Sequence, residues 1–216
     1  MANVRTYSVS RDGNLFLSPN FQVKEFASKD GADEVKIDLD LIPVVQRFRD
    51  YVESPVIISS AFRTAAHNAA VGGAPSSYHV FGRALDIPFS NNYRYLTSRE
   101  LMARFFNTLG VKGIIIYQTF VHIDSRNSKY HATNTGALLN LDRVNIPYRG
   151  QLLTIGSSGT DVGIAQFKLN SLGYNTGNAD MIYGPNTANA VRLFQSANEL
   201  VVDGIIGPNT WNKLFN

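Results

Sequence analysis

Residues 77–86 read Ser77-Tyr78-His79-Val80-Phe81-Gly82-Arg83-Ala84-Leu85-Asp86, and this stretch decides how the first part of the chain folds. His79 and Asp86 are seven residues apart, so they are not neighbours on a helix, where facing side chains lie three or four residues apart. Gly82 between them favours a turn. The stretch therefore predicts a turn that leads into a strand, with an imidazole before the turn and a carboxylate on the strand.

Two apolar runs further along the chain predict a pair of adjacent strands. They read Gly113-Ile114-Ile115-Ile116-Tyr117 and Phe120-Val121-His122-Ile123-Asp124. His122 and Asp124 are two residues apart on the second strand, so their side chains point to the same face. This pairing suits a metal ligand with a carboxylate beside it.

Together the two segments offer a set of zinc ligands. His79, Asp86 and His122 provide two imidazoles and one carboxylate, all of which zinc accepts. Three protein ligands leave the fourth tetrahedral position open for water, as in a catalytic zinc site. The chain has no cysteine, which excludes the structural zinc sites built on thiolates. The pattern therefore predicts catalytic zinc, whereas His67 and His131 lack such a setting.

Helical and strand patterns follow one another without regular alternation. Residues 38–53 carry apolar side chains at helical spacing, and Pro55–Ser59 reads as a short buried strand. Thr64–Val71 reads as a helix stopped by two glycines. Thr97–Glu100 has the form of a capping box at the start of another helix, which ends at Gly110. Helices first and strands later favour an α+β fold.

The last third of the chain has a different pattern. From residue 134 to 149 the sequence weakens into Asn, Thr and Gly, which predicts a linker. Beyond it lies an internal near-repeat, Asp180-Met181-Ile182-Tyr183-Gly184-Pro185-Asn186-Thr187 and Asp203-Gly204-Ile205-Ile206-Gly207-Pro208-Asn209-Thr210. In each copy a turn leads into a helix that begins at Pro, where the missing N–H costs nothing. With a further helix from Thr160 to Leu172, residues 150–216 are predicted to form a small three-helix bundle.

Composition excludes several classes of partner. The 216 residues carry a formal net charge of +3, and no run of Lys and Arg resembles a nucleic-acid-binding patch. No apolar run approaches the roughly 20 residues that span a membrane, and the N-terminus lacks the pattern of a signal peptide. We therefore expect no nucleic-acid or membrane partner, and we also expect a monomer. It is expected to accumulate in the cytoplasm and leave by lysis or another non-classical route, or to be secreted.

The spacing Ser-x-His-x-x-Gly-x-Ala-x-Asp, followed by His-x-Asp, resembles the zinc D-alanyl-D-alanine carboxypeptidase family. That family shares a fold with the hedgehog signalling domain and includes VanX-like dipeptidases and phage L-alanyl-D-glutamate endopeptidases. The resemblance spans roughly residues 15–130, and it also covers Ser59-Ser60-Ala61-Phe62-Arg63-Thr64 and Val71-Gly72-Gly73-Ala74. It implies an antiparallel sheet with flanking helices, and a zinc peptidase domain at residues 1–133.

The resemblance also implies roles for individual residues. His79, Asp86 and His122 match the zinc ligands of the family. Arg63 matches a catalytic arginine near the zinc, where a guanidinium can hold a substrate carboxylate or a polarised carbonyl. Ser77 matches the serine before the first ligand and is expected to hydrogen-bond the substrate.

One position departs from the family pattern. Many members carry Glu or Asp three residues before the last His as the general base, and here that residue is Thr119, which cannot take up a proton at neutral pH. Asp124 is a candidate catalytic residue because it shares a face with His122. It either shuttles the proton to the leaving amine or orients His122, and the sequence leaves both roles open.

Residues 150–216 resemble the peptidoglycan-binding domain that accompanies many cell-wall hydrolases. The matching positions include Gln166, Gln195 and both Gly-Pro turns. The two resemblances together imply a zinc-dependent peptidoglycan peptidase held at the bacterial cell wall by its C-terminal domain. It would act as a D-Ala-D-Ala carboxypeptidase or as an L-Ala-D-Glu endopeptidase of the phage endolysin type. The departure at Thr119 keeps a non-catalytic, zinc-containing wall-binding module as the alternative.

Overall fold

The chain forms two compact units. The structure is a computed structural model that describes residues 2–141 and 146–215. The first unit comprises Met1–Phe106 and Val111–Asn140, and the second comprises Asn107–Gly110 and Leu141–Asn216. None of the described helices combines the length and the hydrophobicity of a transmembrane span.

The first part of the described chain contains eight strands and four α-helices. The strands are β1 (Val4–Ser8), β2 (Phe16–Ser18), β3 (Phe21–Gln22), β4 (Glu34–Asp38), β5 (Ala84–Pro88), β6 (Gly113–Ile116), β7 (Phe120–Asp124) and β8 (Tyr130–Thr133). The helices are α1 (Val9–Asp12), α2 (Ile42–Val52), α3 (Ala65–Ala70) and α4 (Arg99–Thr108), with 3₁₀ turns at Val23–Phe26 and Leu39–Leu41. Pairs β1–β4 and β2–β3 form two small antiparallel sheets, and the remaining strands form one sheet in the order β5-β7-β6-β8. The α+β fold predicted from the sequence is confirmed.

The four-stranded sheet positions the predicted metal ligands. Strands β5 and β6 both run antiparallel to β7, as the sequence predicts, whereas the edge strand β8 is parallel to β6. The register places Asp86 of β5 opposite His122 of β7, and Gly113 of β6 opposite Asp124 of β7. Opposed residues on antiparallel strands have Cβ atoms about 5 Å apart. Strand pairing alone therefore brings Asp86 and His122 together.

Helix α2 contributes one apolar face to the core of the first unit. Its buried residues are Ile42, Val44, Val45, Phe48, Tyr51 and Val52. The Phe48 ring packs edge-on against Tyr93 and Phe105, with centroids 5.3 and 5.7 Å apart. The helix predicted at 38–53 is thus confirmed, and the Asp38 side chain caps the 3₁₀ turn that precedes it.

The strand predicted at Pro55–Ser59 is wrong. Residues 55–58 form no strand, and Ile57 is 69% exposed. Because Pro55 has no N–H, it cannot contribute a donor to a sheet ladder. The chain meets the sheet only at an isolated bridge, where the Asp86 N–H donates to the Ser60 carbonyl at 2.7 Å. The segment therefore ends beside Asp86 without forming a further strand.

The second unit contains the predicted three-helix bundle. Its described helices are α5 (Thr160–Ser171), α6 (Pro185–Ala197) and α7 (Pro208–Phe215). Trp211 of α7 is buried, and its indole N–H donates to the Ile146 carbonyl at 2.7 Å. The division into domains at 1–133 and 150–216 stays a prediction. Part of the predicted linker at 134–149, residues 142–145, lies outside the described residues.

A buried glutamine holds each copy of the internal repeat. The Gln166 amide N–H groups donate to the Asp180 carboxylate, the Ile182 carbonyl and the Thr187 hydroxyl, at 3.0, 3.0 and 2.9 Å. Its side-chain oxygen accepts from the Met181 N–H at 3.0 Å. One side chain thus fixes the turn and the start of the helix that follows.

Gln195 repeats this arrangement in the second copy. Its amide N–H groups donate to Asp203, Ile205 and Thr210 at 2.8, 2.9 and 3.1 Å. Its oxygen accepts from the Gly204 N–H at 2.9 Å. The sequence repeat is therefore also a structural repeat, in which a buried glutamine makes the same set of hydrogen bonds in each copy.

We expect Gln166→Leu to destabilise the second unit by roughly 2–4 kcal/mol, because it preserves the volume but leaves buried polar groups unpaired. Urea unfolding followed by the fluorescence of Trp211, the single tryptophan, would measure the loss. The matched control is Gln151→Leu, at an exposed position. An unchanged midpoint for Gln166→Leu would contradict the structural role of this network.

Candidate metal centre

His79 lies in a hydrogen-bonded loop that leads into β5. The Gly82 N–H donates to the His79 carbonyl at 3.1 Å, and the Arg83 N–H donates to the Tyr78 carbonyl at 2.9 Å. Gly82 has a φ of +67°, and a Cβ atom there would overlap the backbone of Lys36. Glycine is therefore required at this turn, and the turn orients His79 toward the sheet.

Three buried side chains converge on one point. His79 Nε2 lies 3.1 Å from Asp86 Oδ1, and His122 Nδ1 lies 2.8 Å from the same oxygen. The two ring nitrogens are 3.2 Å apart. Candidate ligand atoms of all three residues lie within 4.8 Å of one another, and within residues 2–141 and 146–215 no other such group occurs. The structure therefore brings together the three side chains that the sequence predicts as zinc ligands.

In each imidazole, the ring nitrogen that faces away from the cluster makes a hydrogen bond that holds the ring in place. His79 Nδ1 lies 2.6 Å from the Ala61 carbonyl, and His122 Nε2 lies 3.1 Å from Asp124 Oδ2. A carbonyl and a carboxylate can only accept a hydrogen bond, so each of these nitrogens carries the proton. The lone pairs of His79 Nε2 and His122 Nδ1 then face the centre of the cluster. This is the tautomer pattern of metal-binding histidines.

Asp86 is held in the same way. Arg63 Nη2 donates to Asp86 Oδ2 at 2.7 Å, while Arg63 Nε donates to the Ser60 hydroxyl at 2.8 Å. Asp86 Oδ1 is left to face the two imidazoles. The donor set of two ring nitrogens and one carboxylate oxygen, each with its outer partner in place, fits a zinc ion.

The electrostatics of the cluster favour a cation. Burial opposes ionisation of Asp86, but hydrogen bonds from His122 and His79 outweigh it and hold the pKa of Asp86 below its usual range. Burial likewise opposes a charged His122, yet the carboxylates of Asp124 and Asp86 raise the pKa of His122. Two carboxylates around one imidazole thus stabilise positive charge, which a metal ion can supply in place of a proton.

Asp124 lies behind His122, on the ring nitrogen that faces away from Asp86. It is fully buried, and its two oxygens accept from Arg126 Nε at 2.8 Å and Arg126 Nη2 at 2.5 Å. Burial alone would raise its pKa, but hydrogen bonds from Arg126 and His122 lower it to about 2. Such a carboxylate is a weak base. Of the two roles that the sequence leaves open for Asp124, the geometry favours the one that orients His122.

Sequence reasoning missed Arg126, which completes a chain from Arg126 through Asp124 to His122. The Arg126 guanidinium also lies over the rings of Tyr78 and Tyr130, with its carbon 5.1 and 4.7 Å from their centroids. The alternation of residues 122, 124 and 126 along one face of the extended chain was the available signal. The contact with Tyr130 depends on the path of the chain after β7, which alternation does not reveal.

A cavity of about 530 Å³ opens over the cluster. Arg63 and Ser77, the predicted substrate-contacting residues, both line it, and so does Tyr117, which sequence reasoning did not assign. Burial and the nearby Asp86 raise the pKa of Tyr117, so its hydroxyl remains protonated at neutral pH. Thr119 is exposed in the turn between β6 and β7 and is not among the lining residues.

Two known families match different parts of the chain. The peptidase M15 family matches residues 16–124, which is half of the chain and includes all three members of the cluster. A peptidoglycan-binding domain family matches residues 158–214, which contain α5, α6 and all but the last residue of α7. The chain belongs to the peptidase M15 family and carries a C-terminal peptidoglycan-binding domain.

Individual relatives resemble only part of the chain. An uncharacterized protein of the bpoA1 3′ region in Kitasatospora aureofaciens is 44% identical over 64 residues, 29% of this chain and 54% of that protein. A peptidoglycan-binding protein from Clostridioides difficile, solved with glutamine hydroxamate, is 45% identical over 31% of this chain and 41% of its own, with a TM-score of 0.30. The Burkholderia AP3 phage endolysin is 42% identical over 30% of this chain and 24% of its own, with a TM-score of 0.29.

Gly113 leaves the space that Asp124 occupies, because a Cβ atom there would overlap the Asp124 carboxylate. We expect Gly113→Ala to displace Asp124 from His122 and to weaken zinc binding by about 10- to 100-fold, as loss of an outer partner of a metal ligand does. Competition with a chromophoric chelator would measure the affinity. The control is Gly184→Ala, where a methyl group meets nothing within 4 Å. Equal zinc affinity of Gly113→Ala and wild type would contradict the positioning role of Asp124.

Proposed function

We propose that this protein is a zinc-dependent peptidase that hydrolyses a peptide bond in the stem peptide of peptidoglycan. The observation that carries the proposal is the cluster of His79, Asp86 and His122, in which each side chain offers one atom to the centre and has its other atom held by a neighbour. A cluster held in this way is preorganised for a metal ion and lies at the base of a substrate-sized cavity.

His79 Nε2, His122 Nδ1 and Asp86 Oδ1 would hold the zinc ion. The chemistry that zinc supplies in such a site is a more acidic water and a polarised carbonyl. Family membership supports the metal, because the matching stretch at 16–124 includes all three residues. All three ligand atoms of the proposed zinc site are nitrogen or oxygen, so the site does not need cysteine, which the chain lacks.

Two side chains of the cavity are suited to hold the substrate carbonyl. Arg63 uses Nε and Nη2 to bind Ser60 and Asp86, and its Nη1 has no hydrogen-bond partner among the described residues. Tyr117 keeps its hydroxyl proton at neutral pH. Both groups can donate to the oxygen on which negative charge develops during attack on a peptide carbonyl. Ser77 is a further cavity-lining hydroxyl that can hydrogen-bond the peptide.

Transfer of the proton to the leaving amine is the step for which the described cavity residues provide the fewest suitable side chains. Among the described residues that line the cavity, Asp86 is the only carboxylate, and it is already engaged by Arg63 and both imidazoles. Asp124 is bound to Arg126 behind His122, so we propose that it orients this imidazole and takes no proton. Water then has to carry the proton to the leaving amine, and we expect slower turnover than in relatives with an acidic residue in the place of Thr119.

The C-terminal domain supports the assignment of the polymer. Binding of the second unit to peptidoglycan would hold the peptidase on an insoluble substrate and raise the effective concentration of stem peptides around it. We therefore propose the bacterial cell wall as the place of action, with the wall polymer as the partner of both units. A monomer is sufficient for this arrangement.

Digestion of purified sacculi tests the proposal. We expect zinc-loaded protein to change the masses of the released muropeptides, and His122→Ala to lower this activity by at least about 1,000-fold, because loss of one ligand leaves the metal poorly held. His67→Ala is the matched control, since His67 lies on α3 outside the cluster. Chelator treatment followed by added zinc should abolish and restore the activity of the wild type.

The products also decide which bond is cut. Release of free D-alanine would identify a D-Ala-D-Ala carboxypeptidase. A new carboxyl terminus on the L-alanine that stays attached to the glycan would identify an L-Ala-D-Glu endopeptidase, the activity expected of a phage-type endolysin. Intact muropeptides with fully zinc-loaded protein that still binds sacculi would refute the peptidase and leave a non-catalytic wall-binding module.

A further inference from the structure

The second unit has a cavity of its own. It measures about 440 Å³ and lies between the loop after α5 and one face of α6. Three asparagines line it, Asn175, Asn186 and Asn189, together with Tyr174, Leu193 and two glycines. None of the lining residues is charged. A volume of this size is in the range of small-molecule binding sites.

The lining has the chemistry of a carbohydrate site. Each asparagine side chain offers both a donor and an acceptor, as sugar hydroxyl and acetamido groups require. The side chains of Asn186 and Asn189 have no hydrogen-bond partner among the described residues, so both side-chain amides are available to a ligand. Tyr174 and the half-exposed Leu193 add apolar surface for the C–H face of a sugar ring. An anionic ligand would need a cation, and this lining has none.

The loop that forms one wall is braced from beneath. The Asn170 side chain on α5 accepts from the Thr176 N–H at 2.8 Å and donates to the Gly177 carbonyl at 2.9 Å. The Tyr174 ring packs edge-on against Phe194, with centroids 5.5 Å apart. The Asn175 side chain accepts from the Gly177 N–H at 2.9 Å. The wall is thus preorganised, which lowers the entropic cost of binding.

The internal repeat offers an independent comparison. Gln166 precedes Asp180 by 14 residues, whereas Gln195 precedes Asp203 by only 8, although both pairs make the same hydrogen bond. The six additional residues of the first copy lie in the stretch that contains the braced loop. The two copies share the turn that holds the fold, and they differ in the segment that builds the cavity. The extra length is therefore not needed for the hydrogen-bonded turn itself.

We propose that this cavity is the wall-binding site of the second unit and that it takes an uncharged N-acetylated sugar of the glycan strand. The inference rests on the proposed function, because it assigns the residues through which the second unit would hold peptidoglycan. The expected ligand is the glycan and not the stem peptide, because the carboxylates of the stem peptide would lie against a lining without a cation.

The repeat supplies matched variants for the test. Asn186 and Asn189 of α6 correspond in position to Asn209 and Asn212 of α7, and all four are exposed. Full-length wild type, an Asn186→Ala/Asn189→Ala variant and an Asn209→Ala/Asn212→Ala variant would each be titrated with the tetramer of N-acetylglucosamine and followed by NMR. We expect the first pair of substitutions to weaken binding by at least about tenfold and the second pair to leave it unchanged. Thermal unfolding would verify that both variants are folded.

Co-sedimentation with purified sacculi and titration with a sugar-free stem peptide complete the experiment. The inference is supported if the Asn186→Ala/Asn189→Ala variant loses both the tetrasaccharide and the sacculi. It is overturned if this variant binds the tetrasaccharide as the wild type does, if the wild type fails to bind the tetrasaccharide at millimolar concentration, or if the stem peptide binds at these asparagines. A wild type that binds the tetrasaccharide but leaves muropeptides intact would refute the proposed peptidase and leave this site standing.

Discussion

The pairing of Asp86 with His122 across β5 and β7 is the contact on which the site of the first unit depends. Its register is set by the opposite face of the sheet. Residues that alternate with these two candidate ligands on the strands are buried and apolar, namely Leu85, Ile87, Val121 and Ile123. A slip of one residue would turn all of these side chains out of the core, so hydrophobic burial holds the register. Asp86 and His122 meet because their apolar neighbours are buried.

A second constraint is the negative charge of two carboxylates that are buried at this sheet. Asp86 and Asp124 both lie at the sheet with almost no exposure, and an unpaired buried carboxylate is costly. Arg63 and Arg126 each supply a guanidinium to one of them, at 2.7 and 2.5 Å. These arginines compensate the carboxylates and also hold them in place. Asp86 is therefore prevented from rotating and keeps Oδ1 directed at the two imidazoles. Asp124 is held in the same way and keeps the His122 imidazole in place.

The second unit relies on a different device, used twice. A buried glutamine in each copy joins the turn before a helix to the first turn of that helix. Such a network lets a small bundle hold its turns without a large core, whose stabilising effect is limited at this size. Because the device needs only a few fixed positions, the segment between them can vary in length. In the first copy that segment is longer, and it forms one wall of a cavity.

Most local elements and the candidate ligands can be predicted from the sequence alone. Periodicity predicted α2 and the strands around His122, and the Gly-Pro turns predicted the starts of α6 and α7. The error at Pro55–Ser59 arose because an apolar run does not reveal whether its backbone pairs with a strand: Pro55 has no N–H to donate, and the chain bridges β5 only at Ser60. Three features emerge only from the packing of the strands: the position of Asp124 behind His122, the space left by Gly113 and the contacts of Arg126. These depend on which strands are neighbours and on their register, and long-range pairing of this kind leaves no periodic signal along the chain.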